Sequence, residues 1–208
     1  VIVVTSNRGL AGGYNASVIK LITGSDLKPD DLLLYTVGNK GKEYFQHREY
    51  TIAKDYSEVI ENPMFSDAKE ICEEVLGGYA AGEISEIYLA YTYFKNTVVH
   101  EPKLLKLLPV EIEEADIEAA KADSLMNYEP EETEALEIII PKYVTSILYG
   151  ALVEAIASEN GARMQAMDSA TSNAQDMIDH LTLQYNRARQ GSITQELTEI
   201  IAGANAIQ

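Results

Sequence analysis

After Pro141 the chain runs 67 residues without another proline. Proline is what a helix interior tolerates least, because it removes a backbone hydrogen bond and clashes with the preceding turn. A proline-free stretch rich in helix formers can therefore continue as one helix, with Pro141 suited to its first turn. Apolar or small residues fall at Met164, Met167, Thr171, Ala174, Ile178, Leu181, Tyr185 and Ala188. They alternate three and four apart, which is the seam of a coiled coil. From Pro141 to about Ala204 such a helix would be roughly 95 Å long at about 1.5 Å per residue. Gly150, Gly161 and Gly191 lie inside it, each costing on the order of 1 kcal/mol relative to Ala, so tolerance or close helix approach must explain them. The chain holds no second long helix to cover the seam. Its partner is either another copy, in a parallel homodimer, or a helix upstream of Val1 folded back antiparallel. The chain opens Val1-Ile-Val-Val4, strand-like and without an initiator Met, which favours the upstream helix.

The first part alternates in type. Residues 1–6 and 31–37 are short apolar runs rich in β formers, and residues 14–23 between them have helical spacing, an order that reads β-α-β. Continuous apolar strands suit a parallel sheet covered on both faces. Residues 40–47 read as a short helix. Residues 67–76 repeat Ile71, Val75 and Tyr79, an amphipathic helix ended at Gly77-Gly78 or a little later. Residues 86–94 and 97–108, separated by Lys95-Asn96, should pair as an antiparallel hairpin. The expected fold is thus α/β: a Rossmann-like three-layer domain over residues 1–137 with a mainly parallel sheet, then a very long coiled-coil helix over residues 138–208.

Charge is lopsided along the chain. The total is −17, and residues 101–137 alone hold twelve acidic against three basic side chains, or −9. A free-standing nucleic-acid binder needs clustered Lys and Arg, so nucleic acid and anionic lipid are excluded as direct partners. The acidic segment, with Glu111-Ile-Glu-Glu-Ala-Asp116 and Glu129-Pro-Glu-Glu132, is either a solvated surface stretch or a docking surface for a basic partner. No run approaches the roughly 18 consecutive apolar residues that cross a bilayer, and the one cysteine, Cys72, leaves no disulfide framework.

Chemistry-bearing constellations are weak. The segment Ser6-Asn-Arg-Gly-Leu-Ala-Gly-Gly-Tyr-Asn15 lies between strand and helix, where a dinucleotide loop would be. Gly9, Gly12 and Gly13, however, give G-x-x-G-G rather than G-x-G-x-x-G, and no phosphate-cradling Lys follows. A tight turn built from glycines is the better reading. His47, His100 and His180 are scattered without metal-ligand spacing, and no serine has the nucleophile elbow. Neither a metal, a cofactor nor an active site is expected. At the C-terminal end Arg163, Arg187 and Arg189 cluster. They are either helix-surface charge at the edge of the seam or, through Arg189 and Gln190, hydrogen-bonding groups for a partner's carboxylates. The last turns are nearly uncharged and small.

Two motifs carry a resemblance. One is Ser6-Asn-Arg-Gly-Leu-Ala-Gly-Gly-Tyr-Asn15 after the opening strand. The other is Arg163-Met-Gln-Ala-Met167 followed by Tyr185-Asn-Arg-Ala-Arg-Gln190 and Ile193-Thr-Gln-Glu-Leu-Thr-Glu-Ile200. Together they make the chain resemble the gamma subunits of F-type ATP synthases, over essentially its whole length. The resemblance implies a central rotor shaft that couples proton flow through the membrane sector to ATP synthesis or hydrolysis on the alpha3beta3 ring. It implies that a basic N-terminal helix of the family is absent here, and that Gly9, Gly12 and Gly13 are structural turn glycines. Arg163, Arg189, Gln190, Thr194 and Glu196 would contact the alpha and beta subunits. Tyr128 and Glu129, in the acidic foot at residues 101–137, would contact the c-ring or the epsilon subunit. The implied place is peripheral, on the cytoplasmic face of a bacterial plasma membrane, within the F1 sector. The rival reading of the residues is a standalone α/β binding module that dimerises through its long helix.

Overall fold

The computed structural model describes residues 1–110 and 132–207. The elements run β1 Ile2–Val4, α1 Tyr14–Thr23, β2 Leu33–Val37, α2 Asn39–Gln46, β3 Thr51–Asp55, α3 Phe65–Ala80, β4 Ile87–Phe94, β5 His100–Leu108 and α4 Glu132–Ile207. The five strands form one sheet in the order β3-β2-β1-β4-β5. β1 pairs parallel with both β2 and β4, β2 pairs parallel with β3, and β4 and β5 form the antiparallel hairpin. The expected mainly parallel sheet is present, and strand alternation explains its layers. Ile2, Val4, Tyr35, Val37 and Leu89 face one core with Ile71, Cys72 and Val75 of α3 and Val144, Leu148, Leu152 and Ala155 of α4. Val3, Leu34 and Ala90 face the other, with Val18, Ile19 and Ile22 of α1 and Phe45 of α2. β1 is buried on both faces, which is why it reads as an unbroken apolar run.

Two elements, β3 and α4, differ from the sequence reading. β3 carries no apolar run, being the exposed edge strand Thr-Ile-Ala-Lys-Asp, and so gave no strand signal. α3 runs a little past Gly77-Gly78, to Ala80, as the sequence reading allowed. Gly78 is needed there for space: a Cβ would lie 2.8 Å from Ile84 Cδ1. Gly77 has open space around its missing Cβ. Gly77→Ala is therefore expected to raise the unfolding free energy by about 0.5–1 kcal/mol, the helix-propensity difference, read as a rightward shift in a urea titration.

α4 begins nine residues before Pro141, which sits inside the helix rather than in its first turn. The Pro141 carbonyl accepts a hydrogen bond from Thr145 Oγ1 at 2.7 Å. α4 also contains an 18-residue window of mean hydropathy 1.5, apolar and long enough by composition to cross a membrane. Many of its apolar side chains, Val144, Leu148, Ala151, Leu152 and Ala155 among them, are instead buried in the sheet core. The chain divides into two units, Val1–Gln165 and Ala166–Gln208. The first holds the sheet and both cores. The second is helical through Ile207, and its Met177, Ile178, Leu181, Tyr185, Leu197 and Ile200 are exposed. Cys72 is buried, and that burial pushes its thiol up to about 11, so it behaves as a small core hydrophobe.

Candidate coupling surfaces

The glycine-rich segment after β1 is held as a closed turn. Asn15 Oδ1 accepts the Ser6 N–H at 2.9 Å, Asn15 Nδ2 donates to Ser6 Oγ at 2.8 Å, and Ser6 Oγ donates to the Arg8 carbonyl at 2.6 Å. Asn7 extends the tie: its Nδ2 donates to the Ser57 carbonyl at 2.9 Å and its Oδ1 accepts the Asn39 N–H at 3.0 Å. The side chains of Ser6, Asn7 and Asn15 thus spend their hydrogen bonds within the chain itself. Of the three motif glycines only Gly12, at φ 56°, has a backbone that favours glycine; Gly9 has open space, and a Cβ on Gly13 would make ordinary contact with Ser17 Oγ.

Sequence reasoning passed over the more demanding glycine. Gly38, at φ 114°, lies so close to β1 that a Cβ would sit 2.1 Å from the Thr5 carbonyl oxygen. Thr5 Oγ1 also donates to the Gly38 carbonyl at 3.1 Å and accepts the Gly41 N–H at 2.9 Å. Only the run Val-Gly-Asn-Lys-Gly after β2 could have signalled this, as a strand followed at once by a helix.

Beside this turn, Asn7, Arg8, Ile60, Glu61, Glu159 and Arg163 line a recess of about 290 Å³. Arg163 Nη2 pairs with Glu159 Oε1 at 2.6 Å, one turn back along α4. The arginine that the sequence offers as a partner contact is therefore already matched to a carboxylate, at the rim of the recess it shares with Asn7 and Arg8.

Arg189, Gln190, Thr194 and Glu196 are all exposed in the second unit. Arg189 and Glu196, seven apart, share one stripe of the helix, and Gln190 and Thr194, four apart, share the next. Thr194 Oγ1 donates to the Gln190 carbonyl at 2.8 Å, leaving the Arg189 guanidinium and the Gln190 amide facing outward. Tyr128 and Glu129, with the rest of the acidic core of the foot, lie outside the described residues. No His, Cys, Asp and Glu cluster fit for a metal occurs among the described residues.

One ionised group tightens the sheet's outer edge. Asp55 accepts hydrogen bonds from Lys42 Nζ at 2.7 Å, from the Ser57 N–H at 3.1 Å and from the Ser57 hydroxyl. Burial by itself would raise its carboxyl, but the bonds from Lys42 and Ser57 outweigh it and hold the group below the ordinary carboxylate range. A folded-state value below the unfolded one stabilises above the unfolded pKa, and the contribution fades as pH falls through the folded value. The stability difference between the natural chain and Asp55→Asn is thus expected to be largest near neutral pH and to shrink below about pH 4. Its size is on the order of 0.5 kcal/mol after solvent screening, measurable by urea titrations at pH 7 and pH 3.

The ATP synthase family model matches residues 1–207. Over 213 residues the chain is 63% identical to the ATP synthase gamma chain of Lachnoclostridium phytofermentans, covering 100% of this chain and 73% of that protein. This chain belongs to the ATP synthase gamma-chain family. Its members include the "ATP synthase gamma chain, sodium ion specific" of Acetobacterium woodii, 43% identical over 99% of this chain and 74% of that one. Among solved structures, a chain of the Euglena gracilis mitochondrial ATP synthase (OSCP/F1/c-ring, rotational state 3) superposes with a TM-score of 0.74 at 18% identity, covering 99% of this chain and 71% of that one. At that identity the likeness is one of fold: the gamma-chain sheet and long helix are shared where few side chains are.

Proposed function

We infer that this gamma chain is the central-stalk rotor of an F-type ATP synthase. It couples ion flow through the membrane sector to ATP synthesis or hydrolysis on the alpha3beta3 ring by rotation. The observation that carries this is the 63% identity to a gamma chain along the whole sequence, the Arg163–Met167 and Tyr185–Ile200 motifs included. The role is mechanical: differential contacts in each rotary position bias the conformations of the catalytic subunits, and the bond chemistry belongs to them. Residues 138–208 serve as the shaft and residues 1–137 as the body, with the acidic foot at 101–137 toward the c-ring and the epsilon subunit through Tyr128 and Glu129. Arg163, Arg189, Gln190, Thr194 and Glu196 face the alpha and beta subunits. The exposed seam of α4 packs against a helix of the full-length subunit that lies outside this sequence. The complex sits on the cytoplasmic face of a bacterial membrane. Its coupling ion is a proton or, as in the sodium-specific relative's name, sodium.

Sedimentation tests the reading. Full-length subunit mixed with alpha and beta subunits is expected to run as one alpha3beta3gamma species. A stable self-dimer that ignores the ring would overturn it in favour of a module dimerising through its own helix.

A further inference from the structure

The β4–β5 hairpin meets α4 at one tightly shaped point. Its turn is braced from within: Asn96 Oδ1 accepts the N–H groups of Val98 and Val99 at 2.9 and 2.7 Å, and Lys95 pairs with Glu101 across the strands at 3.2 Å. His100 opens β5 with its ring centroid 6.0 Å from that of Phe94. The imidazole lies directly over Gly161 of α4, where a Cβ would come within 2.7 Å of His100 Cε1, 3.2 Å of its Nε2 and 3.3 Å of the Thr97 carbonyl oxygen. Just before it along the helix, buried Ser158 donates from Oγ to the carbonyl of buried Thr92 at 3.3 Å. Both imidazole nitrogens are buried without a hydrogen-bond partner among the described residues. Leaving polar groups so costs stability, so the ring is seated by shape and the contact is a poor device for stability alone. Gly161 is also the last buried residue of α4 among those described.

We propose that His100 against Gly161 is the last hold of the α/β body on the shaft helix, the positioning pair through which torque passes between that body and α4. An elastic rod held over part of its length and loaded beyond it concentrates the reaction at the last point of support. The core contacts at Leu148, Leu152 and Ala155 lie behind that point and share less of it. A glycine on the helix lets the hairpin reach the helix backbone, and a flat rigid ring fills the gap. This inference rests on the rotor reading above.

The test uses the full-length subunit assembled into the complete membrane complex, with His100→Ala, Gly161→Ala, the pair together, and Gly150→Ala as a control whose Cβ would meet open space. His100→Ala is expected to keep ATP hydrolysis near the natural rate while ions pumped per ATP fall about fivefold, the low end of intersite coupling. Gly161→Ala is expected to lower the same ratio by driving the ring out. The pair is expected to recover part of it, since the new methyl occupies space the ring vacates, a non-additivity specific to contacting residues. His100→Leu, which keeps bulk without hydrogen bonding, is expected to retain coupling, and Gly150→Ala to change nothing. A contact that merely packs the fold would lower the melting temperature and leave the pumped-ion ratio untouched; that result overturns the proposal. If Arg189→Ala with Gln190→Ala uncouples the complex and the His100 variants do not, this contact alone is wrong. If the full-length subunit fails to join alpha and beta subunits in one sedimenting species, the rotor reading falls and this contact with it.

Discussion

Arg189→Ala combined with Gln190→Ala, in the full-length subunit of the assembled complex, is expected to leave ATP hydrolysis running while ions pumped per ATP fall by roughly an order of magnitude. Both side chains are exposed in the isolated chain, and Thr194 is tied back to the Gln190 carbonyl at 2.8 Å, so neither change removes anything the fold needs. Hydrogen bonds to charged groups contribute about 1.5–3 kcal/mol each, and 1.4 kcal/mol is a factor of ten in an equilibrium. Losing one such contact in only some rotary positions is therefore enough to let the catalytic subunits turn over out of step with the shaft. Pumping into sealed vesicles, normalised to ATP hydrolysed in the same sample, reads the effect. An unchanged ratio would assign the pair to the helix surface alone.

A second large effect is expected far from any partner, at Gly38→Ala. A φ of 114° is a region L side chains avoid, and the new methyl carbon would have to occupy space 2.1 Å from the Thr5 carbonyl oxygen and 2.5 Å from its carbon. Neither is the far end of a flexible side chain. Relief means parting β1 from β2 where the Thr5 N–H donates to the Val37 carbonyl at 2.8 Å. Strained φ and overpacking each cost about 1–3 kcal/mol, and their sum, about 2–6 kcal/mol, is a large share of the roughly 5–15 kcal/mol typical of a whole domain. Urea titration of Gly38→Ala beside Gly77→Ala separates the cases: the first midpoint should collapse and the second rise. A loss under about 1 kcal/mol at Gly38 would mean the junction of β1 and β2 is softer than its geometry states.

Much of the fold was legible because its signals are local. β1, β2 and β4 announce themselves by apolar runs, β5 by following the Lys95-Asn96 break, and the seam by its spacing. β3 was not legible, because an edge strand exposed on both faces has no need of apolar residues, and Thr51 to Asp55 reads as loop. Pro141 misled because a proline favours the first turn only when nothing upstream is helical, and the residues from Glu132 onward are. The glycine motif drew attention to Gly9, Gly12 and Gly13, yet the constraint that matters at Gly38 comes from a strand 33 residues away. The same holds for Arg163, whose pairing with Glu159 is local but whose recess with Asn7, Arg8 and Glu61 is made by distant chain. Residue identity on the shaft was read directly. Which of those residues are expected to bear on a partner rests on the family resemblance alone.

The helix hydroxyls have a further consequence. Thr171, Thr194 and Thr198 each donate to the carbonyl four residues back, at 2.8 to 2.9 Å, and Gln175 and Gln195 bond Asp179 and Glu199 within the same helix at 3.0 Å. These groups can keep their bonds whatever stands opposite them. A surface whose polar groups are satisfied from inside forms few bonds that must be broken at each step. On the rotor reading proposed above, this stretch would slide against a changing sleeve with few bonds to break, and grip would fall to side chains that keep outward donors, Arg189 and Gln190 among them.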